Sequence, residues 1–399
     1  MFERTTYDAL VIGARCAGAA TAMLMARSGL RVLAIDRGEY GADALSTHAL
    51  MRAGVLQLHR WGVLPKVVTA GTPSLRTATF HYGNNLVEVA IGSTHGVNAL
   101  YAPRRTILDR LLVDAASEAG VEIRHGHALA GLLRSSGGRV RGAAIRDRDG
   151  SLIEIQAGLI VGADGMGSTV ARLVGASVCR AGRHASAVTY GYWSGLQMSG
   201  YHWYYQEGLS VGVIPANSDQ HCVFVAVPSA RFREGLRGTA AYHRAVAAVA
   251  PDLASKISGG AEATHLRAFA GRGGFLRQPC GPGWALVGDA GYFKDPLTAH
   301  GISDALRDAE LLARAAAVGT DQAFADYAAV RDELSIPLFE ATDAIASFEW
   351  DLDMLREHHE VLNRAMKREI ELFPSLSVGP HTTEGLVANT NLHHEKEAT

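Results

Sequence analysis

The sequence predicts an α/β protein: a parallel sheet built on a Rossmann-like βαβ unit, a second antiparallel β-sheet, and a helical C-terminal segment. Three observations predict it. An apolar run from Tyr7 to Ile12 breaks at a glycine turn, and a second strand follows at Arg31 to Ile35 after a helical stretch. Two later apolar runs, Leu159 to Val161 and Trp284 to Val287, each end in a turn that pairs glycine with aspartate. Between them, residues 187 to 274 change character to strands rich in Tyr, Trp, Val and Phe.

The first unit carries the most information. Gly13-Ala14-Arg15-Cys16-Ala17-Gly18 follows the opening strand, Ala19 to Ser28 are small or helix-forming, and Gly29 ends them. This is G-x-x-x-x-G, with Arg15 in place of the middle glycine of the dinucleotide fingerprint. Gly13 lets the chain turn sharply, and Gly18 lets the helix approach the sheet. The free N–H groups of the first helical turn, at Arg15, Cys16, Ala17 and Gly18, face a pyrophosphate. Asp36, with Arg37 beside it, lies about 20 residues beyond the turn, where a carboxylate reaches a ribose hydroxyl and disfavours a 2′-phosphate. The site therefore reads as one for FAD or NAD rather than NADP. Arg15 either lies along the pyrophosphate or is solvated.

Composition narrows the class. The chain has 399 residues, 48% hydrophobic and 20% charged, with 38 basic against 40 acidic side chains and a net charge of −2. That balance gives no electrostatic case for nucleic acid. Cys16, Cys179, Cys222 and Cys280 lack C-x-x-C spacing, so neither a zinc site nor a disulfide framework is implied, and no metal is expected. Met1 to Arg4 lead straight into the first strand and no apolar segment reaches spanning length, so a cytoplasmic protein without a membrane span is expected.

The remaining elements follow in order. Ser46 and Thr47 precede an apolar-periodic helix, Leu50 to Trp61; their hydroxyls either cap it or face a cofactor. Arg76 to Ile91 alternates as a hairpin that belongs to the second sheet. Thr106 caps a helix with Ile107, Leu108, Leu111, Leu112 and Ala115 on its apolar face, and the preceding Arg104 and Arg105 read by default as solvated. Val121 to Val161 reads as a β-meander leading into Gly162-Ala163-Asp164-Gly165.

Strands are expected at 187–193, 201–205, 210–215, 222–228 and 264–270, interrupted by a helical stretch over 231–257. Tyr190, Tyr192, Trp193, Trp203, Tyr204 and Tyr205 form an aromatic surface. Most are sheet core; if two or three line a cavity, they suit a largely apolar or aromatic small-molecule substrate. Gly288-Asp289-Ala290 and a loop with Lys294, Asp295 and Pro296 precede Gly301, which opens an amphipathic helix bearing Ile302, Leu306, Ala309 and Leu312. Its positive N-terminus stabilises an anion placed before it. From Pro337 to about Leu376 the pattern is helical, and the polar end with His393, His394, Glu395 and Lys396 reads as disordered rather than as a metal site.

The turns at Gly13, Asp164-Gly165 and Gly288-Asp289 have the order and approximate spacing of FAD-dependent oxidoreductases related to para-hydroxybenzoate hydroxylase and geranylgeranyl reductase. The resemblance runs from Tyr7 to about Ala315. It implies a Rossmann-like FAD-binding domain at 1–75, 100–180 and 275–336, and a substrate-binding β-sheet domain at 76–99 and 181–274. C-terminal helices at 337–378 and a polar tail at 379–399 complete the chain.

It further implies that Asp36 binds the adenosine ribose, that Arg104 contacts the FAD phosphate or ribityl region, and that backbone near Ala128 and Leu129 meets the adenine. Asp164 supports FAD and a pyridine nucleotide, Gly288-Asp289 holds ribityl hydroxyls, and Pro296 lies beside the ring. Gly301-Ile302 presents N–H groups to the flavin N1 and O2 edge, where reduction places negative charge. Departures are His300, where many relatives have glutamine, and Arg15.

The implied activity is monooxygenation with NAD(P)H as transient donor, or electrons from a separate flavin reductase. Reduction of carbon–carbon double bonds is the alternative, and a non-redox flavin-scaffolded protein the remote third. The W-x-W-x-I-P motif of flavin halogenases is absent, which disfavours halogenation. His48 and His300 are the catalytic candidates, because both are expected near the ring and imidazole titrates close to neutrality; a satisfied, non-catalytic histidine is the other reading of each.

Overall fold

The opening βαβ unit forms as expected. Strand β1 (Thr6–Ile12) runs parallel to β2 (Val32–Asp36), with helix α1 (Cys16–Arg27) between them. The buried side of α1 is mostly small (Gly18, Ala19, Ala20, Ala22), which lets it lie close against its neighbours. The computed structural model describes residues 6–234, 238–258 and 264–377, so the expected polar tail at 379–399 lies outside the described residues.

Helix α2 (Arg52–Arg60) is shorter than the apolar period suggested, with Met51 at its N-cap; neither Ser46 nor Thr47 caps it. After α3 (Leu64–Thr69) come the hairpin strands β3 (Thr77–Tyr82) and β4 (Asn85–Ala90), then α4 (Arg105–Glu118), which opens one residue before the expected Thr106 cap.

The expected meander divides. Strand β5 (Glu122–His125) pairs in parallel with β2, while β6 (Ala128–Arg134), β7 (Val140–Arg146) and β8 (Leu152–Gly162) are antiparallel, and β8 returns parallel to β1. Alternation in sequence is the same for a strand in either kind of ladder. Partner choice is long-range, so the period alone does not separate the two.

Helix α5 (Thr169–Val174) and strand β9 (Val178–Ala181) lead to the second sheet. Its strands are β10 (Ser186–Ser194), β11 (Tyr201–Gln206), β12 (Leu209–Ala216), β13 (Gln220–Pro228) and, after helices α6 (Ser229–Glu234), α7 (Thr239–Val249) and α8 (Pro251–Ser258), β14 (Arg267–Phe269). The sheet order is β14-β10-β13-β12-β11-β3-β4, so the early hairpin joins it as expected.

The chain returns through β15 (Phe275–Arg277), β16 (Cys280–Gly281), β17 (Trp284–Leu286) and β18 (Tyr292–Phe293). Helices α9 (Gly301–Val318), α10 (Asp321–Ala346) and α11 (Leu352–Ser377) follow. The first sheet is ordered β16-β17-β8-β1-β2-β5. Pro337 lies inside α10, so one helix runs continuously through the boundary expected there.

Aromatic side chains of the second sheet divide between its faces. Tyr190, Tyr192, Tyr201, Trp203 and Tyr205 pack in the large core shared with β1, α1, α4 and α9. Trp193 and Tyr204 point to the other face, beneath α7 and α8, where Trp193 stacks on Tyr242 with ring centroids 5.4 Å apart. The alternation of a strand imposes this split. Helix α11 inserts Leu355 and Leu362 into the same large core, so the C-terminal segment does cover the first domain.

Candidate functional site

The three turns meet at the ends of the central strands. Gly13 has φ +101°, and a β-carbon there would stand 2.4 Å from the Ala163 carbonyl oxygen; one on Gly18 would stand 1.7 Å from the Gly13 carbonyl oxygen. Gly288 lies against Ala17 and Ala305, whose β-carbons are 3.0 and 3.2 Å from where its own would be. The glycines are therefore required by close backbone approach, and they bring α1, the Asp164 turn and α9 to one place.

The first intrahelical bond of α1 runs from the Ala19 N–H to the Arg15 carbonyl, so the N–H groups of Cys16, Ala17 and Gly18 have no partner within the helix. Arg15 is half-buried, with one guanidinium nitrogen 3.5 Å from the Asp43 carbonyl. Asp36 accepts from the Ala14 N–H at 2.8 Å and the Gly38 N–H at 2.7 Å. A carboxylate has about four lone-pair positions, so two remain for ribose hydroxyls. Arg37 beside it is exposed. The His127 N–H donates to the Asp36 carbonyl, which brings Ala128 and Leu129 next to that end of the cradle. Asp164 accepts from the Thr169 and Val170 N–H groups, while its Oδ1 is buried without a partner. A close backbone cradle, free helix N–H groups and an unpartnered carboxylate oxygen fit an FAD.

The two arginines at the start of α4 differ from the solvated default. Arg105 is half-buried and grips Asp109 through Nε and Nη2 at 2.9 and 3.0 Å. The Cys16 thiol donates to the same carboxylate at 2.9 Å, and burial pushes that thiol well above its usual range. Arg105 also faces Asp289, whose carboxyl burial pushes up to about 6 despite the opposing pull of Arg105 and Lys294. Arg104 turns instead to the second sheet. Its N–H donates to Asn217 Oδ1, its guanidinium reaches Gln220 Oε1 at 3.0 Å and Asp43 at 3.4 Å, and the charge lies 3.8 Å from the centre of the Tyr192 ring.

At the far end, Pro296 opens a single 3₁₀ turn (Pro296–Thr298), and His300 is the N-cap of α9 ahead of Gly301 and Ile302. Asp295 fixes this loop to β10 by accepting from the Ser186 N–H and hydroxyl, both at 2.6 Å. His300 points away from the helix terminus into a buried ionic cluster. Its Nδ1 bonds Asp304 Oδ1 at 3.1 Å, and its Nε2 lies 3.2 Å from Glu369 Oε2, misaligned for a full hydrogen bond. Lys294 pairs with Asp304, and Arg307 with Asp304, Asp308 and Glu369. His300, Asp304 and Glu369 offer ligand atoms within 4.8 Å of one another, but the ammonium and guanidinium already occupy the carboxylates.

His48 sits where the first domain meets the second sheet. It is 2% exposed, adopts φ +52°, and stacks on Tyr192 with centroids 5.7 Å apart and planes within 5°. Neither ring nitrogen makes a well-formed hydrogen bond, the Ala102 backbone giving only a weak contact. Burial, reinforced by the Arg104 charge, pulls its pKa down to about 3, so the ring is neutral at physiological pH and the titration expected near neutrality does not occur. Ser46 organises the approach: its hydroxyl accepts from the His48 N–H, and its own N–H donates to the Tyr190 hydroxyl. Ser46 and His48 therefore lie together, while His300 belongs to a separate cluster.

Sequence reasoning gave Arg105 and Lys294 no role in the site and did not single out Asp43, Asp304, Arg307 or Glu369. The i, i+4 pairs Arg105–Asp109 and His300–Asp304 carried a local signal. Glu369, far along the chain, carried none.

Comparison with known proteins places these features in context. The model of a family described as an FAD binding domain matches residues 6–327. Digeranylgeranylglycerophospholipid reductase 1 of Methanococcoides burtonii is 27% identical over 316 residues, covering 77% of this chain and 73% of that protein. Menaquinone reductase of Mycolicibacterium smegmatis is 27% identical over 336 residues, covering 77% and 76%. Among solved structures, a probable FAD-dependent monooxygenase of Pseudomonas aeruginosa, pqsL, superposes with a TM-score of 0.74 at 20% identity, covering 91% of this chain and 100% of that one. At that identity the likeness speaks for the fold.

Proposed function

The chain belongs to the FAD-binding-domain family and is an FAD-dependent oxidoreductase, and from that premise we propose that it is a monooxygenase acting on a small, largely aromatic molecule that carries a hydrogen-bonding group. The observation that carries this reading is the buried His48, stacked on Tyr192, whose two ring nitrogens lack a well-formed hydrogen bond. A neutral imidazole offers one donor and one acceptor, which suits the polar group of an aromatic substrate.

The chain's residues bind and orient. The N–H groups of Cys16, Ala17 and Gly18 would take the pyrophosphate, Asp36 the ribose, and backbone near Ala128 and Leu129 the adenine. Asp289 would take ribityl hydroxyls, Pro296 would lie beside the ring, and the Gly301-Ile302 N–H groups would stabilise the negative charge that reduction brings. Arg105 holds Asp109 and Cys16 beneath this strip, and Arg104 braces the sheet that carries Tyr192. His48 orients the substrate rather than moving a proton, because a base with a pKa of about 3 gives little driving force at neutral pH. FAD, when bound, supplies hydride acceptance from NAD(P)H and activation of dioxygen. The overall balance is substrate, dioxygen, NAD(P)H and a proton giving hydroxylated substrate, NAD(P)⁺ and water. The donor is transiently bound NAD(P)H or a separate flavin reductase, and the family resemblance is what supports a role for Asp164 with a pyridine nucleotide.

Reduction of a carbon–carbon double bond is the second reading, favoured by the two reductases matched over about three quarters of the chain. An oxygen electrode separates them. With FAD-loaded protein, NADH or NADPH, and a panel of phenols and aromatic acids, monooxygenation consumes dioxygen one for one with product. Product formed equally well under strict anaerobiosis with reduced FAD selects the reductase.

A further inference from the structure

Two histidines from distant parts of the chain meet on the outer face of the second sheet. His81 is on β3 and His202 on β11, 121 residues apart in sequence, and His81 Nε2 lies 3.2 Å from His202 Nδ1. Strand β11 sends Tyr201, Trp203 and Tyr205 into the large core, so His202 and Tyr204 take the opposite face. The register sets His81 opposite Tyr204 on that face, and sets Thr79 between His202 and the exposed Glu88 of β4, the last strand of this sheet. Both imidazole rings are half-buried and open to solvent on one side.

We propose that His81 and His202 form a chelating site for a borderline divalent cation of the Zn²⁺, Ni²⁺ or Cu²⁺ class, with Glu88 as the adjoining carboxylate, and that the ion clips β3 to β11. This site is independent of the monooxygenase reading above.

The spacing suits a chelate. Tetrahedral zinc holds imidazole nitrogens at about 2.0–2.1 Å, which places two of them roughly 3.3 Å apart; the pair stands at 3.2 Å. The tautomer of His202 is set, because its Nε2 lies 2.9 Å from the Ser199 carbonyl oxygen, which can only accept. Its Nδ1 lone pair is therefore the one turned toward His81, and a backbone carbonyl behind the ring is how metal-binding imidazoles are oriented. His81 is held in turn by stacking on Tyr204, with centroids 4.0 Å apart and planes within 14°, so little rotamer freedom remains to be lost on binding. Burial lowers the pKa of both rings, which leaves each neutral at pH 7 with a lone pair to give. Without an ion, the His81 Nε2–H donates to His202 Nδ1, a bond worth about 1 kcal/mol net and readily exchanged. With an ion, His81 carries its proton on Nδ1 instead, so no net proton is lost. Two nitrogen donors select borderline cations over Mg²⁺ or Ca²⁺. The charge of Glu88 acts on His202 in favour of a cation, and that of Lys256 on α8 acts against it. The clip joins the early hairpin to a distant strand, where a crosslink constrains the unfolded chain most.

The test uses full-length, FAD-loaded protein carrying His393→Ala and His394→Ala, which removes the histidine pair near the C-terminus. Zinc chloride titrated by calorimetry should saturate at one ion per chain and raise the melting temperature. Copper(II) bound at the same stoichiometry should show two imidazole nitrogens in its electron paramagnetic resonance spectrum. His81→Gln and His202→Gln should each weaken zinc binding on the order of a hundredfold, through loss of two-point attachment, and abolish the zinc-dependent rise in melting temperature. Glu88→Gln should weaken binding less, and His243→Gln on α7 should leave it unchanged. Should His202→Gln not fold, His81→Gln gives the same readout. Absence of a saturable zinc site, a site that keeps its affinity in either histidine variant, or a copper spectrum with a single nitrogen overturns the proposal.

Discussion

Gly13 and Ala163 are packed backbone to backbone: a β-carbon on Gly13 would stand 2.4 Å from the Ala163 carbonyl oxygen. Two turns far apart in sequence thus share one wall of the proposed nucleotide cradle, and neither can shift without the other.

Gly13→Ala combines that clash with a left-handed backbone at φ +101°, so it should cost at least about 1–3 kcal/mol and weaken FAD binding tenfold or more. Gly29→Ala is the control. It has φ +90° but nothing within 4 Å of its β-carbon, so it should lower the melting temperature by backbone strain alone and leave FAD affinity unchanged. Thermal melts and FAD titrations of both variants check this.

His48→Gln should raise the KM for substrate about tenfold through a lost hydrogen bond, with a smaller change in kcat. Because burial holds its pKa at about 3, the wild-type rate should show no break between pH 6 and 8 that disappears in the variant. Steady-state kinetics across that range decide whether this ring orients or transfers protons.

Arg105 and Arg148 should respond very differently to truncation. Arg105→Ala leaves Asp109 buried without its bidentate partner, at a cost of about 3–5 kcal/mol. Arg148 pairs with Glu39 on the surface, so Arg148→Ala should cost under about 1 kcal/mol. Urea unfolding of the two variants provides the comparison.

Glu369 predicts an acid-dependent stability. Its folded pKa, about 2, lies below the unfolded value of 4.5, so the native state binds fewer protons between them. Its contribution is therefore present above about pH 4.5 and lost as pH falls toward 2. The stability difference between wild type and Glu369→Gln should be large at pH 7 and shrink on acidification, as chemical denaturation at several pH values reads directly.

What the sequence made legible is local. Gly13, Gly18, Asp36 and Gly288 announce themselves because a strand, a tight turn and a helix follow within a few residues, and the same chain stretch supplies both signal and geometry. The parallel pairing of β5 with β2 was hidden, since an alternating strand looks the same whichever neighbour it takes. The aromatic residues were counted correctly but divided between two faces, because Tyr192 and Trp193 are adjacent and must point oppositely. His48 was found as a residue but not as a neutral one: its state depends on burial against Tyr192 and Arg104. Glu369 reaches His300 only because α10 and α11 fold back over α9, a relationship without local trace.

The central claim is that the turns at Gly13, Asp164 and Gly288 together hold one flavin nucleotide on this chain. An FAD titration of the purified protein, followed by absorption, measures it most directly. Saturation at one FAD per chain, with a flavin spectrum shifted from that of free FAD, is the predicted result. A chain that stays colourless and takes up no FAD at any concentration supplied would contradict it.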